Sequence, residues 1–397
     1  VQTCALPICL TSLCQRQPPQ EAMTSKRPKF HAYPFWSPRF WHGMRLGDVL
    51  KLFARNRFRI HPLRMPMAVL VACCGVLHTV LHRLEQLFYR RRIAETKITQ
   101  PPIFIIGHWR SGTTLLHELM VRDERFDFPS TYECFVPHHF LVSHRILPKL
   151  IWFLLPAKRP MDNMLAGFDR PQEDEFALVT MGAPTPYMRI AFPNEPPAYS
   201  EFLDMQETKQ SDLARFKKDI LNFVRRITIL KAKRLVLKSP LHTGRIQVLS
   251  ELFPGAVFIH IVRDPRSVFP STKRLWQALD EVQGFQIPRH EHLDEYVFSC
   301  LERMYRGFDA QRPGIPQDRF YEVRYEDLIR DPVSELKKIY ETLHLGDFEP
   351  VRASIEGYLR EQKDYQTNQH ELDAETLAKL KDRWGFYADR YGYDLTR

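Results

Sequence analysis

Cysteine is scarce in this chain of 397 residues. There are seven cysteines, and three of them lie within residues 1–22. The other four, Cys73, Cys74, Cys134 and Cys300, show none of the spacings of a metal site, so we predict no bound metal. An odd total argues against a disulfide framework, and the composition therefore favours a reducing, cytoplasmic location.

The chain also lacks internal repeats and linkers rich in glycine or serine. Residues 1–22 have no basic segment of the kind that opens a secretory signal, and we expect them to be a disordered or non-native leader, with Met23 as a candidate start. Residues 23–97 are predicted to form a basic, partly apolar helical extension. Residues 98–397 have the length and apolar content of one large catalytic domain.

Acidic residues are almost missing from the first hundred positions. Residues 1–100 hold 16 Lys and Arg against 4 Asp and Glu, whereas the remainder holds 41 against 43. Since the net charge of +10 is wholly N-terminal, the main domain does not resemble a nucleic-acid binder. A basic segment that also carries aromatic residues suits an anionic membrane surface, although a solvated basic collar would have the same composition.

Long apolar runs are equally rare, and the one candidate is Met65–Leu81. Its 17 residues lie between Arg64 and Arg83, at the short limit for crossing a bilayer. Leu81–Phe88 continues it with apolar residues on one helical face. We predict a membrane-associated helix; a buried core helix or a re-entrant hairpin is the alternative.

The most informative stretch runs from residue 101 to residue 117. It predicts a buried strand (Ile103–Ile106), a tight turn (Gly107–Gly112) and a helix that begins at Thr113. Such a turn directs backbone N–H groups at one point and binds a phosphate-like anion. Because Thr113 stands where the Walker motif has lysine, and the cation is instead Arg110, the pattern disfavours an ordinary nucleotide kinase.

Two further predicted strands each end in a cation. Leu235–Leu237 leads to Lys238, and Val257–Val262 leads to Arg263, with Ser271 eight residues further on. The carboxyl ends of parallel strands meet at one sheet edge, where ligands bind. Taken singly, Lys238 could be a solvated strand end and Arg263 could pair locally with its neighbour, but together with the turn they predict an anion site.

These stretches resemble the sulfotransferases that use 3′-phosphoadenosine 5′-phosphosulfate (PAPS), in the bacterial-type branch similar to the tyrosylprotein enzymes. The resemblance covers roughly residues 95–395. The matching segments are His108–Thr114 for the 5′-phosphosulfate loop, Arg263 and Ser271 for the 3′-phosphate site, and Val323–Leu328, Glu173–Glu175 and Tyr365–His370 as further family-like stretches.

The resemblance implies a role for each candidate residue. The donor would be held by Arg110 and the amides of the loop, with Arg263 and Ser271 on the 3′-phosphate; the loop residues are Ser111, Gly112, Thr113 and Thr114. Lys238 would act on the bridging oxygen. Three residues compete for the general base that removes the acceptor proton: Glu133 first, His242 second and His108 third. The acids Glu173–Glu175 would orient cations of the site or face water.

Alternating strand and helix patterns predict an α/β fold, with a P-loop-type parallel sheet flanked by helices on both faces. The further predicted elements are helices over 207–230, 292–306 and 332–345, a strand over 319–324, and a turn or short strand over 130–135. Apolar residues crowd positions 135–157, where they would line an acceptor pocket or pack against the N-terminal helix.

The expected reaction is sulfuryl transfer from PAPS, without a metal, to the hydroxyl or amine of a small molecule, lipid or glycan. The apolar stretch and the basic N-terminus favour a lipid presented at a membrane, with the enzyme peripheral to it or anchored in it. A P-loop nucleotide kinase and a non-catalytic, membrane-associated nucleotide-binding protein are the alternatives.

Overall fold

The computed structural model describes residues 38–154, 167–361 and 372–396. The predicted leader and the segment Tyr365–His370 lie outside these ranges. The strands are β1 (Ile103–Ile106), β2 (Phe126–Asp127), β3 (Arg234–Lys238), β4 (Val257–Val262) and β5 (Phe320–Arg324). They form one parallel sheet in the order β2-β3-β1-β4-β5.

Helices surround this sheet. In chain order they are α1 (Leu46–Arg55), α2 (Met65–Glu95), α3 (Thr113–Met120), α4 (Thr131–Phe135), α5 (Phe140–Ser143), α6 (Leu147–Ile151), α7 (Asp174–Thr180), α8 (Gln210–Leu230), α9 (Ile246–Leu252), α10 (Pro265–Gln283), α11 (Leu293–Gln311), α12 (Tyr325–Arg330), α13 (Pro332–Thr342), α14 (Glu349–Glu361) and α15 (Ala374–Tyr391).

Alternate residues of each strand enter two different cores. Phe104 and Ile106 of β1 pack in the larger core with α8, α10, α11 and α15. Ile103 and Ile105 pack in a smaller core with α3, α12, α13 and α14. This alternation follows from the two-residue period of a strand, and it confirms the predicted sheet with helices on both faces.

The strand ends meet as the sequence predicts. Ile105 of β1 lies opposite Lys238 of β3, and Ile106 lies opposite His260 of β4. The chain leaves β3 and passes over β1 to reach β4, so the strand order reverses at β1. A crevice at the carboxyl ends of such strands is the usual ligand position in open α/β sheets.

One local prediction needs correction, and another is confirmed with a later end point. Residues 130–135 form helix α4, because the Ser130 side chain accepts the Glu133 N–H and Glu133 in turn accepts the Ser130 N–H, a reciprocal capping box. The predicted helix at 65–81 extends to Glu95, and the Leu81–Phe88 continuation belongs to it.

The N-terminal extension is built into the larger core. Trp41 is fully buried and its indole donates to the Gln283 carbonyl at the end of α10, at 2.7 Å. The Phe53 ring lies edge-on to the Phe285 ring, with 5.0 Å between centroids. The Phe40 ring stacks on Phe176 of α7, at 4.4 Å. Because these contacts are deep, the extension and the sheet share one hydrophobic core.

Candidate active site

The turn after β1 has the backbone of an anion cradle. Gly107, Arg110 and Gly112 have φ angles of 144°, 67° and 105°, and α3 begins at Thr113. A Cβ at Gly107 would lie 2.4 Å from the Ile261 carbonyl oxygen, so a side chain does not fit there. Residues with positive φ turn successive N–H groups toward one side, the geometry that binds phosphate-like groups.

Short hydrogen bonds hold this loop rigid. The Ser111 hydroxyl donates to the His108 carbonyl at 2.7 Å, and the Gly107 N–H donates to the Thr243 hydroxyl at 2.8 Å. Ser111 and Thr113 are buried, whereas Gly112 and Thr114 are half-buried at the mouth of the loop. The predicted donor-loop residues therefore form one preorganised unit.

The structure brings Arg110, Ser271 and Arg263 together. The Arg110 Nε donates to the Ser271 hydroxyl at 2.8 Å, and the Arg263 Nη1 donates to the Arg110 carbonyl at 3.1 Å. Both arginines are half-buried and keep further N–H groups for an anion. These three residues thus lie together at one edge of the sheet, where the two arginines supply positive charge, as the sequence predicts.

Arg263 is fixed by residues that the sequence interpretation did not assign. Its guanidinium lies over the Tyr325 ring at 4.1 Å. The Tyr387 hydroxyl accepts its N–H and donates to its carbonyl, both at 3.1 Å. Tyr325 opens the segment Tyr325–Leu328, and a Cβ at Gly112 would lie 2.4 Å from its ring. This segment therefore packs between the loop and Arg263.

Three consecutive acids at the start of α7 face three basic residues at and just after the end of β3. The pairs are Glu173 with Lys238 at 2.7 Å, Asp174 with His242 at 2.7 Å, and Glu175 with Arg245 at 2.9 Å. The first pair is at the edge of the site, and the other two are fully buried beneath it. The acids orient cations, one of the two roles considered for them.

Glu173 is the carboxylate that reaches the donor loop. Its Oε1 accepts from Lys238 Nζ, and its Oε2 accepts from the Tyr187 hydroxyl at 2.9 Å. That hydroxyl accepts the indole N–H of Trp109, a loop residue, at 2.7 Å. Sequence reasoning did not place Glu173 in a catalytic role. The useful signal was the match between three adjacent acids and the basic residues at positions 238, 242 and 245.

His242 lies below the site and is fully buried. Its Nε2 donates to Asp174, and the edge of its ring packs against Phe104 of β1, with 5.5 Å between centroids. Its Nδ1 has no hydrogen-bond partner among the described residues. The geometry suits a residue that fixes the position of α7 better than one that contacts an acceptor.

Glu133 is engaged in a structural contact. Its Oε2 accepts the Ser130 N–H at 2.7 Å and the Lys231 ammonium at 3.0 Å. The side chain is 7% exposed, so these partners hold a nearly buried carboxylate. The capping box, a local signal readable from the sequence, accounts for an acid at this position.

His108 is fully buried in the loop. Its Nδ1 donates to the Trp109 carbonyl at 3.0 Å, and its Nε2 has no partner among the described residues. Burial lowers the pKa of His108 to about 3, so the ring is neutral at physiological pH and is a poor proton acceptor.

The apolar stretch 135–157 divides into two parts. Phe140 and Leu141 of α5 are buried, and the Leu141 N–H donates to Glu85 of α2, which agrees with packing against the N-terminal helix. Trp152 and Phe153 are 71% and 61% exposed. Residues 155–166 lie outside the described ranges. In the described part of the chain, no cluster of three or more metal-binding side chains was found.

Comparison with known proteins agrees with this geometry. A model of the sulfotransferase family matches residues 101–350, which include the loop, β3, β4 and the Tyr325 segment. The chain belongs to the sulfotransferase family. It is 44% identical over 359 residues to the omega-hydroxy-beta-dihydromenaquinone-9 sulfotransferases of Mycobacterium tuberculosis and Mycobacterium bovis, with 90% of this chain and 92% of each relative covered.

Solved structures confirm the fold. A sulfotransferase from Mycobacterium tuberculosis aligns with a TM-score of 0.60 at 19% identity, over 86% of this chain and 91% of its own. A sulfotransferase from Mycobacterium avium gives a TM-score of 0.61 at 18% identity, over 79% and 82%. Both structures align with most of the architecture described above, so this sulfotransferase shares its fold with these bacterial sulfotransferases.

Proposed function

We propose that this sulfotransferase moves the sulfuryl group of PAPS to the terminal hydroxyl of an apolar lipid. The observation that carries the proposal is the convergence of Arg110, Ser271 and Arg263 on the glycine-bearing loop, next to the Lys238–Glu173 pair. A nucleotide with phosphate groups at both its 5′ and 3′ ends needs cations at two places on one edge, and this edge provides them.

The donor site follows from the loop and its cations. The amides of Ser111–Thr114 at the start of α3, together with Arg110, would hold the 5′-phosphosulfate. Arg263 and Ser271 would hold the 3′-phosphate, since an arginine fork binds two oxygens at once. Thr113 takes the Walker lysine position, so the built-in arginines supply the charge that a kinase draws partly from lysine and metal.

Lys238 would neutralise the leaving group. PAPS supplies an activated sulfuryl group, whose bond to the 5′-phosphate oxygen breaks as the bond to the acceptor oxygen forms. Lys238 Nζ would donate to that departing oxygen as negative charge grows on it, which favours the transition state over the bound donor. Its ion pair with Glu173 holds the ammonium at the edge of the site before the donor binds.

Glu173 replaces Glu133 as our proposed general base. It lies against Lys238 and is linked through Tyr187 to the loop residue Trp109, and its side chain is 14% exposed, which leaves access from the crevice. Glu133 caps a helix and pairs with Lys231, and His242 is buried beneath the sheet edge. The carboxylate of Glu173 would take the proton from the acceptor hydroxyl as that oxygen attacks sulfur.

The acceptor proposal rests on the relatives and on the surface of the protein. The relatives at 44% identity are named for an omega-hydroxylated dihydromenaquinone, a lipid with a terminal hydroxyl, and this chain covers 92% of their length. Exposed apolar side chains at Trp152, Phe153 and along α2 are compatible with an acceptor taken from a membrane. We therefore propose that the enzyme works at the cytoplasmic face of a membrane.

The test is transfer from labelled PAPS to a purified omega-hydroxy polyprenyl quinone in detergent micelles, with the product identified by mass spectrometry. We expect a gain of one sulfuryl group at the terminal hydroxyl and release of adenosine 3′,5′-bisphosphate. The matched substrate without the hydroxyl should remain unchanged. Binding of ATP in preference to adenosine 3′,5′-bisphosphate, or phosphate transfer from ATP, would contradict the proposal and favour a kinase.

A further inference from the structure

Helix α2 exposes many apolar side chains, while two polar residues lie among the apolar ones on its buried side. The helix Pro62–Glu95 is long and apolar enough to cross a membrane by length and composition, yet only 22% of its most apolar window is buried. The buried side includes His78 and Glu85. An ordinary surface helix has the reverse arrangement, with its apolar stripe on the core.

Two polar residues on the buried side of α2 form specific bonds with the rest of the protein. Glu85 pairs with Arg226 of α8 at 2.9 Å, and both side chains are nearly fully buried. His78 forms a 2.7 Å hydrogen bond with His139, the residue before α5. A helix surrounded by lipid would have to break these bonds, and removal of one member of a buried ion pair costs about 3–5 kcal/mol. The helix is therefore a fixed part of the folded protein.

The outward side of α2 is an apolar stripe. At 100° per residue, its exposed side chains lie on the side opposite the buried ones. We call this surface the α2 stripe; its members are Val69, Val76, Val80, Leu84, Leu87 and Phe88, each more than 40% exposed. With a rise of 1.5 Å per residue the stripe is about 28 Å long. Contiguous apolar surface of this extent marks an interaction site.

Cations flank the stripe on one side and close it at one end. Arg83 and Arg90 are exposed and lie at one edge of it, and Arg91 follows its last apolar residue. Beyond the same edge, a cavity of about 530 Å³ between α1, α2 and α8 is lined by five Lys and Arg, of which Arg45, Arg215 and Arg226 are paired with acids. A bare apolar stripe would fit a protein partner equally well, but this charge pattern complements the anionic headgroups of a phospholipid bilayer.

We propose that the α2 stripe is the membrane-docking surface of this enzyme, and that α2 lies in the plane of an anionic bilayer leaflet and does not cross it. The apolar side chains would enter the acyl region, while Arg83 and Arg90 remain at headgroup level. The proposed lipid acceptor explains why the enzyme would dock on a membrane, and this inference depends on the proposed function only for that explanation. The α2 stripe itself is separate from the donor site.

Co-sedimentation of the full chain with vesicles tests the surface. The wild type should bind phosphatidylcholine vesicles that contain phosphatidylglycerol, and bind pure phosphatidylcholine much more weakly. The double substitution Leu84→Glu with Leu87→Glu should abolish binding, whereas Ile329→Glu, which changes an exposed apolar residue of α12, should not. Arg83→Gln with Arg90→Gln should weaken binding to the anionic vesicles by roughly 30-fold, at about fivefold for each arginine.

Chemical labelling distinguishes a helix in the plane from a spanning helix. Lys51 precedes α2 in the sequence and Lys97 follows it, and both residues are exposed. A membrane-impermeant amine reagent should label each lysine to the same extent in intact and in permeabilised vesicles, as measured by mass spectrometry. Labelling of one of them only after the vesicles are permeabilised would show a spanning helix and overturn the proposal. A wild type that is dimeric without lipid, and becomes monomeric in the Leu84→Glu, Leu87→Glu variant, would instead assign the stripe to a second copy.

Activity separates this inference from the proposed function. The Leu84→Glu, Leu87→Glu variant should bind adenosine 3′,5′-bisphosphate normally and sulfate a short, water-soluble alcohol as well as the wild type does. It should lose turnover of a long-chain acceptor embedded in vesicles. Equal turnover of the embedded acceptor by both proteins would overturn the docking surface and leave the sulfotransferase proposal intact.

Discussion

Glu173 and Glu133 are both glutamates, but their carboxylates have different hydrogen-bond partners. Glu133 accepts a backbone N–H of its own helix turn, a contact determined within four residues of sequence. Glu173 begins α7 without capping it, so its carboxylate is available to Lys238 and Tyr187. Glu133 is thus held by a local helix cap, whereas the position of Glu173 depends on a tertiary contact with Lys238, 65 residues away in the sequence.

Exchange of each acid for its amide separates the two roles. Glu173→Gln should reduce kcat by roughly 100- to 10,000-fold, the usual size of general-base catalysis, because the amide cannot accept the acceptor proton. Adenosine 3′,5′-bisphosphate binding should persist. Glu133→Gln is the matched control and should retain near-normal turnover, since glutamine also completes a capping box. Normal turnover of Glu173→Gln with an inactive Glu133→Gln would return the base to Glu133.

Arg263 should account for much of the affinity for the 3′-phosphate. Arg263→Ala removes one charge-assisted partner and should weaken adenosine 3′,5′-bisphosphate binding by about 2–3 kcal/mol, measured by calorimetry. Arg274→Ala, at an exposed position of α10, is the charge-matched control and should bind normally. Equal dissociation constants for Arg263→Ala and the wild type would remove Arg263 from the donor site.

The sequence brings Arg110, Lys238 and Arg263 to one edge, but it does not show the neighbours of Glu173, and the reason is physical. Arg110, Lys238 and Arg263 follow buried strands directly, and parallel strands bring their carboxyl ends to one edge whatever the details of packing. The neighbours of Glu173 depend on how α7 packs on β3. No periodicity in the sequence specifies that contact, so the proposal of Glu173 as the base depends on the fold.

At the scale of elements, the contact between α2 and α5 depends on neutral histidines. The ring of His78 stacks on that of His139. His78 Nδ1 and His139 Nε2 form a 2.7 Å hydrogen bond, in which one of the two nitrogens must carry no proton. Burial lowers the pKa of His78 to about 4 and that of His139 to about 3. Burial also raises the pKa of Glu85, in the same helix, to about 7.

Acid should therefore weaken this contact. Between pH 6.5 and pH 4 the unfolded chain binds more protons at the histidines than the folded protein does, so their contribution to stability falls as the pH falls. Glu85 acts in the opposite sense, because burial raises the pKa of its carboxyl in the folded state above the value in the unfolded chain. The two histidines contribute more than the one acid over this range, so the contact should lose stability from pH 7.5 to pH 5.

Denaturant titrations at both pH values measure this loss. His78→Gln should lower the free energy of unfolding at pH 7.5 and reduce the difference between the two pH values, since one of the two titrating rings is gone. His292→Gln, at an exposed position, is the control and should leave the difference unchanged. A pH difference as large in His78→Gln as in the wild type would exclude this histidine pair as its source.

At the scale of the whole molecule, the N-terminal extension supports the chemistry through packing. Phe40 stacks on Phe176 of α7, and a Cβ on Gly43 would overlap the Phe135 carbonyl of α4. The extension thus lies behind the helix whose first residues follow Glu173. The sequence distinguishes residues 23–97 by charge and predicts their helical character, but charge does not show that Phe40, Trp41 and Phe53 enter the larger core.

This shared core predicts one cooperative unit. Trp41 is fully buried between the extension and α10, so Trp41→Ala should lower the free energy of unfolding by about 3–5 kcal/mol. Trp152→Ala removes the same side chain at a position 71% exposed and should change stability by no more than about 0.5 kcal/mol. Calorimetry should show one transition for each protein, and adenosine 3′,5′-bisphosphate should raise that single Tm, because a ligand stabilises the whole unit that binds it. An extension that folds independently would give a different result: Trp41→Ala would shift a separate, ligand-insensitive transition and leave the ligand-stabilised one in place.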